Sequence, residues 1–150
     1  MNIDAIISAY MKNRDGLSGT LGMDFHSTDD PDTCQATMKV NELNRQPWGF
    51  LSGGASLALA ENVAGVGSMA LCPGCMAMGI NVQGQHVKAV SEGDTVTATA
   101  YLKHKGHTLH VWQVEIRNSG GELISNVAVT NFIIQEPKVD DEPTLPPSQH

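Results

Sequence analysis

Ile3, Ile6, Ile7, Tyr10 and Met11 recur at three-to-four spacing, which predicts a short amphipathic helix over residues 2–13, ended by Gly16. Residues 17–27 and 33–40 then read as two strands, parted by the turn-forming run Thr28-Asp29-Asp30-Pro31-Asp32. From Ser52 to Ala70 the chain is dense in alanine, leucine and small residues. Ser52 is placed to cap this stretch and Cys72-Pro73-Gly74 to stop it, so it reads as the main helix, residues 53–70. Beyond it the period changes to runs rich in β-branched residues, at 78–89, 95–104, 109–117 and 123–134, with Asn118-Ser119-Gly120-Gly121 as a hairpin between the last two. One long helix followed by a run of strands predicts an α+β fold, an antiparallel sheet packed on that helix. The stretch from Pro137 onward holds four prolines and three acidic residues with almost nothing apolar, the composition of a disordered tail, which leaves residues 1–136 as one domain.

Composition narrows the function classes. Hydrophobic residues make up 41% of the 150 and charged residues 17%, the balance of a compact chain with surface to spare for partner subunits. Sixteen acidic residues against nine basic give a formal net charge of -7, which repels a phosphate backbone, so no nucleic-acid partner is expected. A small anion is still admissible, because Lys103, His104, Lys105, His107 and His110 cluster. No run reaches the roughly 18–20 apolar residues that span a bilayer, and the first residues lack the pattern of a secretory signal. The expectation is a cytoplasmic protein with no membrane partner, in which three cysteines make no disulfide framework.

The chemistry concentrates in Asn44-Arg45-Gln46-Pro47-Trp48-Gly49-Phe50-Leu51-Ser52-Gly53-Gly54-Ala55 and the helix it enters. Two glycines at a helix start admit another molecule close to backbone N–H groups that carry partial positive charge, an oxyanion site in outline; close packing of helix on sheet is the other reading of Gly53 and Gly54. Glu61 stands among Ala58, Leu59, Ala60, Val63 and Ala64, so it lies either on an exposed stripe or buried for acid–base work. Gly53 and Glu61 are eight residues apart, ~12 Å along one helix, too far for both to act on one carbonyl within one chain. A site using both must draw them from two subunits related by a twofold axis.

The run from Asn44 to Ala55, then Glu61, then Gly106 and Trp112, resembles the PaaI-type branch of hotdog-fold thioesterases over about residues 14–135. That branch includes the aromatic acyl-CoA thioesterases of the Arthrobacter 4-hydroxybenzoyl-CoA type, the 1,4-dihydroxy-2-naphthoyl-CoA hydrolases and the enterobactin proofreading thioesterase. The resemblance implies a curved antiparallel sheet wrapped around one long central helix, dimers formed by sheet extension, and a homodimer or homotetramer with shared active sites. It implies that Glu61 is the catalytic carboxylate, as nucleophile or general base, that the Gly53 N–H polarises the thioester carbonyl, and that Gln46 lies near the same thioester. His86 matches a histidine near the acyl or thioester end. Lys88, Lys103, His104, Lys105 and Gly106 fall where the family holds coenzyme A, which is part of the substrate, so neither a separate cofactor nor a metal is implied.

Two positions depart from the family pattern. Ser52 stands where histidine usually precedes the glycine pair, leaving a helix cap or a weaker hydrogen bonder. Gly65 stands where serine or threonine usually follows the glutamate by four residues, and Ser68, one turn on, is the candidate replacement. The expected function is hydrolysis of an aromatic or medium-sized acyl thioester of coenzyme A or of a phosphopantetheine carrier. A non-catalytic acyl-CoA-binding module is the main alternative, and a hotdog dehydratase lacks here the histidine-centred arrangement it needs. Cys72-Pro73-Gly74-Cys75 has redox spacing but follows a helix instead of opening one, so it is set aside, as is a metal shared by His104, His107 and His110. Trp112 reads as core, and Trp48 as a pocket wall or a dimer contact.

Overall fold

The computed structural model describes residues 1–13 and 15–135. The expected tail therefore lies outside the described residues. The elements run α1 (Asp4–Ile6, carried on by a wider helical turn over Ile7–Met11), α2 (Gly16–Leu21), β1 (Met23–His26), β2 (Thr33–Lys39), α3 (Gly53–Leu71), β3 (Cys75–His86), β4 (Thr95–Lys105), β5 (Leu109–Arg117) and β6 (Leu123–Gln135). The first predicted strand is corrected. Its first half is the helix α2, because Leu17 and Leu21 sit at helical spacing and Gly22, with φ +83°, closes the turn through its N–H to Gly19 O at 3.2 Å. Only Met23–His26 is extended. β3 also starts and ends three residues earlier than the pattern predicts.

The strands form one antiparallel sheet in the order β1-β2-β4-β5-β6-β3, curled about α3, which packs against β2 through β6. Inward positions alternate along the central strands: Val96, Ala98 and Ala100 on β4, Trp112, Val114 and Ile116 on β5, and Val127 and Val129 on β6 are all fully buried. They meet Leu59, Ala60, Val63 and Ala64 of α3, a helix whose small residues let the sheet close around it. Trp112 belongs to this core and presses on Gly67, where an added Cβ would lie 2.7 Å from the Trp112 ring and 2.9 Å from Cys34 Sγ. Gly67→Ala is accordingly expected to destabilise the protein by about 1–3 kcal/mol through overpacking, read as a lowered midpoint in urea unfolding.

α3 lies antiparallel to β3. Added Cβ atoms show the contacts: at Gly53 one would lie 2.8 Å from His86 Nε2, at Gly84 one would lie 3.3 Å from Leu57 Cδ2, and at Gly79 one would lie 2.9 Å from Glu61 Cδ. The bulge between Gly79 and Asn81 in the β3–β6 pairing matters here. Unbroken alternation from Val82 and Gly84 would point position 79 away from the helix, and the extra residue turns it inward, under Glu61.

Candidate active site

The loop before α3 is held by its own backbone and by one buried amide. Asn44 Nδ2 donates to Leu21 O at 3.1 Å and to Lys39 O at 2.8 Å, while its Oδ1 accepts the Asn41 N–H at 2.9 Å. Gly49, with φ +91°, permits the tight turn in which Gly49 N–H reaches Gln46 O at 3.0 Å and Gln46 N–H reaches Phe50 O at 2.7 Å. Leu51 N–H then bonds Val90 O at 2.9 Å, fixing where the helix begins. Gln46 Oε1 accepts the Trp48 N–H at 2.7 Å, so the side-chain amide keeps its donor end for a ligand.

Gln46, Gly53, Ser56, His86, Lys88 and Ser125 line one recess of about 330 Å³. Gly53 is the first residue of α3, where backbone N–H groups have no carbonyl a turn earlier to bond. The His86 ring lies over Gly53 and is oriented by a 2.7 Å hydrogen bond between its Nδ1 and Ser125 Oγ. Together these groups can present donors to a developing oxyanion. Lys88 is paired with Glu122 at the rim.

Glu61 faces a second recess, of about 210 Å³, lined also by Asn62, Gly65, Met69, Gly79, Asn131 and, from the N-terminal segment, Met11. The carboxylate is half-buried and has neither an ion pair nor a hydrogen bond with any described residue. Asn62, its neighbour, bonds back to Ala58 O at 2.8 Å and so takes no part in holding it. Within one chain the two recesses share no residue, as the helical separation of Gly53 and Glu61 requires.

Other residues singled out in the sequence lie elsewhere. Ser68 is fully buried and is corrected from substrate contact to core: its Oγ accepts Trp112 Nε1–H at 2.9 Å and Asn131 Nδ2–H at 3.0 Å, and its own proton goes to His110 Nδ1 at 2.9 Å. Ser52 occupies the N-cap position, but its hydroxyl makes no capping hydrogen bond, and it lines a groove with Gly54, Leu17, Leu43 and Ala58 on the far side of the helix start. His104 and Lys105 end β4, and Gly106 turns the chain into β5 through its N–H to Leu109 O at 2.8 Å; none of the three lines either recess. Trp48 is 79% exposed. Cys72 and Cys75, whose redox spacing was set aside above in favour of unpaired thiols, are joined by a disulfide across the turn after α3, where Cys75 N–H bonds Cys72 O at 3.0 Å. Cys34 is buried, which pushes its thiol up to about 12.

His110 is held below its ordinary value of 6.5 by burial first, then by the nearby positive Lys105 and His104. The unfolded chain therefore takes up this proton before the folded one does. The stability His110 supports is whole above about pH 6.5 and is lost as pH falls through the folded value. Melting temperatures taken from about pH 8 to pH 5 should fall on the acid side, and less steeply in His110→Gln.

Sequence reasoning missed Gly79, Ser125 and Asn131. The last two left a signal: on the inward face of β6 they interrupt Val127, Val129 and Ile133, one polar residue beneath each recess.

A curled six-stranded antiparallel sheet around one central helix is the fold of the hotdog thioesterases. The sequence pattern of the thioesterase superfamily matches residues 49–125, and the chain belongs to that family. A Deinococcus radiodurans protein provisionally named an esterase is 45% identical over 79% of this chain and 77% of its own length. The 1,4-dihydroxy-2-naphthoyl-CoA hydrolase of Escherichia coli is 34% identical over 79% of this chain and 86% of that one. A crystallised Haemophilus influenzae thioesterase superposes with a TM-score of 0.76 at 29% identity, covering 92% of each chain. The protein is a thioester hydrolase.

Proposed function

We propose that the protein hydrolyses an aromatic or medium-sized acyl thioester of coenzyme A or of a phosphopantetheine carrier, at sites built from two subunits. Glu61 of one subunit supplies the nucleophile or general base, and the Gly53 N–H of the other receives the carbonyl oxygen, with the Gln46 amide and the Ser125-oriented His86 beside it. The observation that carries this reading is the placement of the two half-sites at opposite ends of the α3–β3 contact, Gly53 over His86 and Glu61 over Gly79.

β3 is an edge strand of 12 residues containing no lysine, arginine or proline, so nothing in its sequence blocks strand addition. Antiparallel pairing of two such edges about a twofold axis near Val82 and Gln83 brings His86 opposite the partner's Gly79, and so Gly53 opposite the partner's Glu61. Two dimers can then associate to give a tetramer. Met76, Met78 and Ile80, exposed on β3, are surface that such assembly can cover. Lys88, with Lys103, His104 and Lys105, supplies positive charge for the coenzyme A phosphates. The compartment consistent with these substrates is the cytoplasm; no helix among the described residues is long and apolar enough to cross a membrane.

The experiment is thiol release from a panel of aryl- and alkyl-acyl coenzyme A thioesters and an acylated carrier protein. Turnover concentrated on aryl or medium-sized groups supports the reading. Binding of thioesters without turnover of any of them supports the binding-module alternative.

A further inference from the structure

Gly65 leaves the Glu61 recess without the hydroxyl that the resemblance leads one to expect, and Ser68 is spent inside the core. One other neutral polar side chain lines that recess from the sheet. Asn131 is only 1% exposed, and its Nδ2 is tied to Ser68 Oγ at 3.0 Å. Ser68 is itself fixed by Trp112 and His110, so the amide cannot swing. Its Oδ1 accepts a hydrogen bond from no described residue and is not among the buried unpartnered atoms, so it is open to the recess that Asn131 lines.

The register sets Asn131 beside the residue that Glu61 touches. Asn131 pairs with Gly79 across β3 and β6, and Gly79 is the residue on which the Glu61 carboxylate rests. Directly opposed side chains on one face stand about 4.5–5.5 Å apart at Cβ, which leaves room for one water between the two acceptors. A water offers two protons, and Glu61 with Asn131 offers one acceptor for each.

We infer that Asn131 is a further residue of the Glu61 site, its side-chain oxygen being the second acceptor that orients the hydrolytic water. The inference rests on Glu61 being the catalytic carboxylate. With Glu61 as general base, the water oxygen bonds the thioester carbon while one water proton passes to Glu61 and the other stays hydrogen-bonded to Asn131. The C–S bond then breaks with its electron pair on sulfur, and the thiolate takes the proton back from Glu61, leaving a carboxylic acid and a thiol. With Glu61 as nucleophile, the same water hydrolyses the acyl-enzyme, and Asn131 has the same task.

Asn131→Val and Asn131→Thr test this as a pair. Both lose the bond to Ser68, both suit a strand, and they differ by one oxygen. The Val variant should lose kcat by about tenfold or more with KM changed less than about threefold, and the Thr variant should recover most of that loss. Equal kcat in the two folded variants would overturn the assignment. Should either fail to fold, a crystal structure of the wild type decides: the inference requires a water within about 3 Å of both Glu61 and Asn131 Oδ1, and no such water overturns it. Glu61→Gln, run alongside, separates the two levels. If it keeps wild-type turnover, the reading of Glu61 itself is wrong; if it is inactive while Val and Thr match the wild type, only the role of Asn131 fails.

Discussion

Glu61→Gln should lower kcat for thioester hydrolysis by roughly 10²–10⁴-fold while KM moves only a few-fold. The substitution keeps the shape of the side chain and removes its ability to take a proton or to attack a carbon. Glu61 has no ion pair or hydrogen bond with the described residues, so none of them loses a partner. The melting temperature should therefore stay close to that of the wild type, and thiol release measured beside a thermal melt checks both halves of the expectation. A large fall in stability together with activity would show that the carboxylate is structural.

The second large effect is expected at a residue with no side chain. A Cβ at position 79 would come within 2.9 Å of Glu61 Cδ and closer still to Oε1, so Gly79→Ala must push the carboxylate out of its seat. Glu61 is flexible at that end and the recess beyond it is open, so the displacement costs little stability; alanine also suits a strand interior better than glycine by roughly 0.5–1 kcal/mol. A shift of about 1 Å in a reacting group is worth about 10² in rate, and that is the loss expected in kcat. Unfolding and kinetics on the same preparation distinguish this from a packing defect. A stable Gly79→Ala enzyme with wild-type kcat would mean that the carboxylate works from another position.

These two residues also show where the sequence stops being informative. Glu61 stood out as a lone carboxylate in an apolar helix, eight residues after Gly53, but that pattern left it either exposed or buried, and only the family resemblance implied a catalytic role. The same spacing made the division into two half-sites derivable from the rise of a helix. Gly79 was not legible, since simple alternation along β3 gives it the wrong face and only the bulge before Asn81 turns it toward Glu61. Asn131 and Ser125 could have been read as polar breaks on the apolar face of β6, but nothing in the spacing says that Asn131 shares a recess with Glu61 of α3 or that Ser125 bonds His86 of β3. The strand expected over residues 17–27 failed for a local reason: short alternating runs mimic strands, and the i,i+4 leucines with Gly22 behind them are the helix signal that outweighs the alternation. Ser68 could not be placed from the sequence because its three partners come from β5 and β6, more than 40 residues away.

The central claim is that each site takes its carboxylate from one subunit and its oxyanion donor from another. It is tested most directly by mixing two inactive proteins. Glu61→Gln removes the carboxylate. Gly53→Pro removes the N–H at the first helical position, where the backbone suits proline after the extended Ser52, with ψ 135°; its ring displaces His86, which belongs to the same half-site, so the logic of the mixture is unchanged. Unfolded together and refolded as a mixture, the two should regain about a quarter of wild-type activity, because half of the dimers are mixed and each mixed dimer has one intact site of two. No recovery above the separate mutants, from a mixture shown to contain mixed dimers, would contradict the shared site and place Gly53 and Glu61 in unrelated roles.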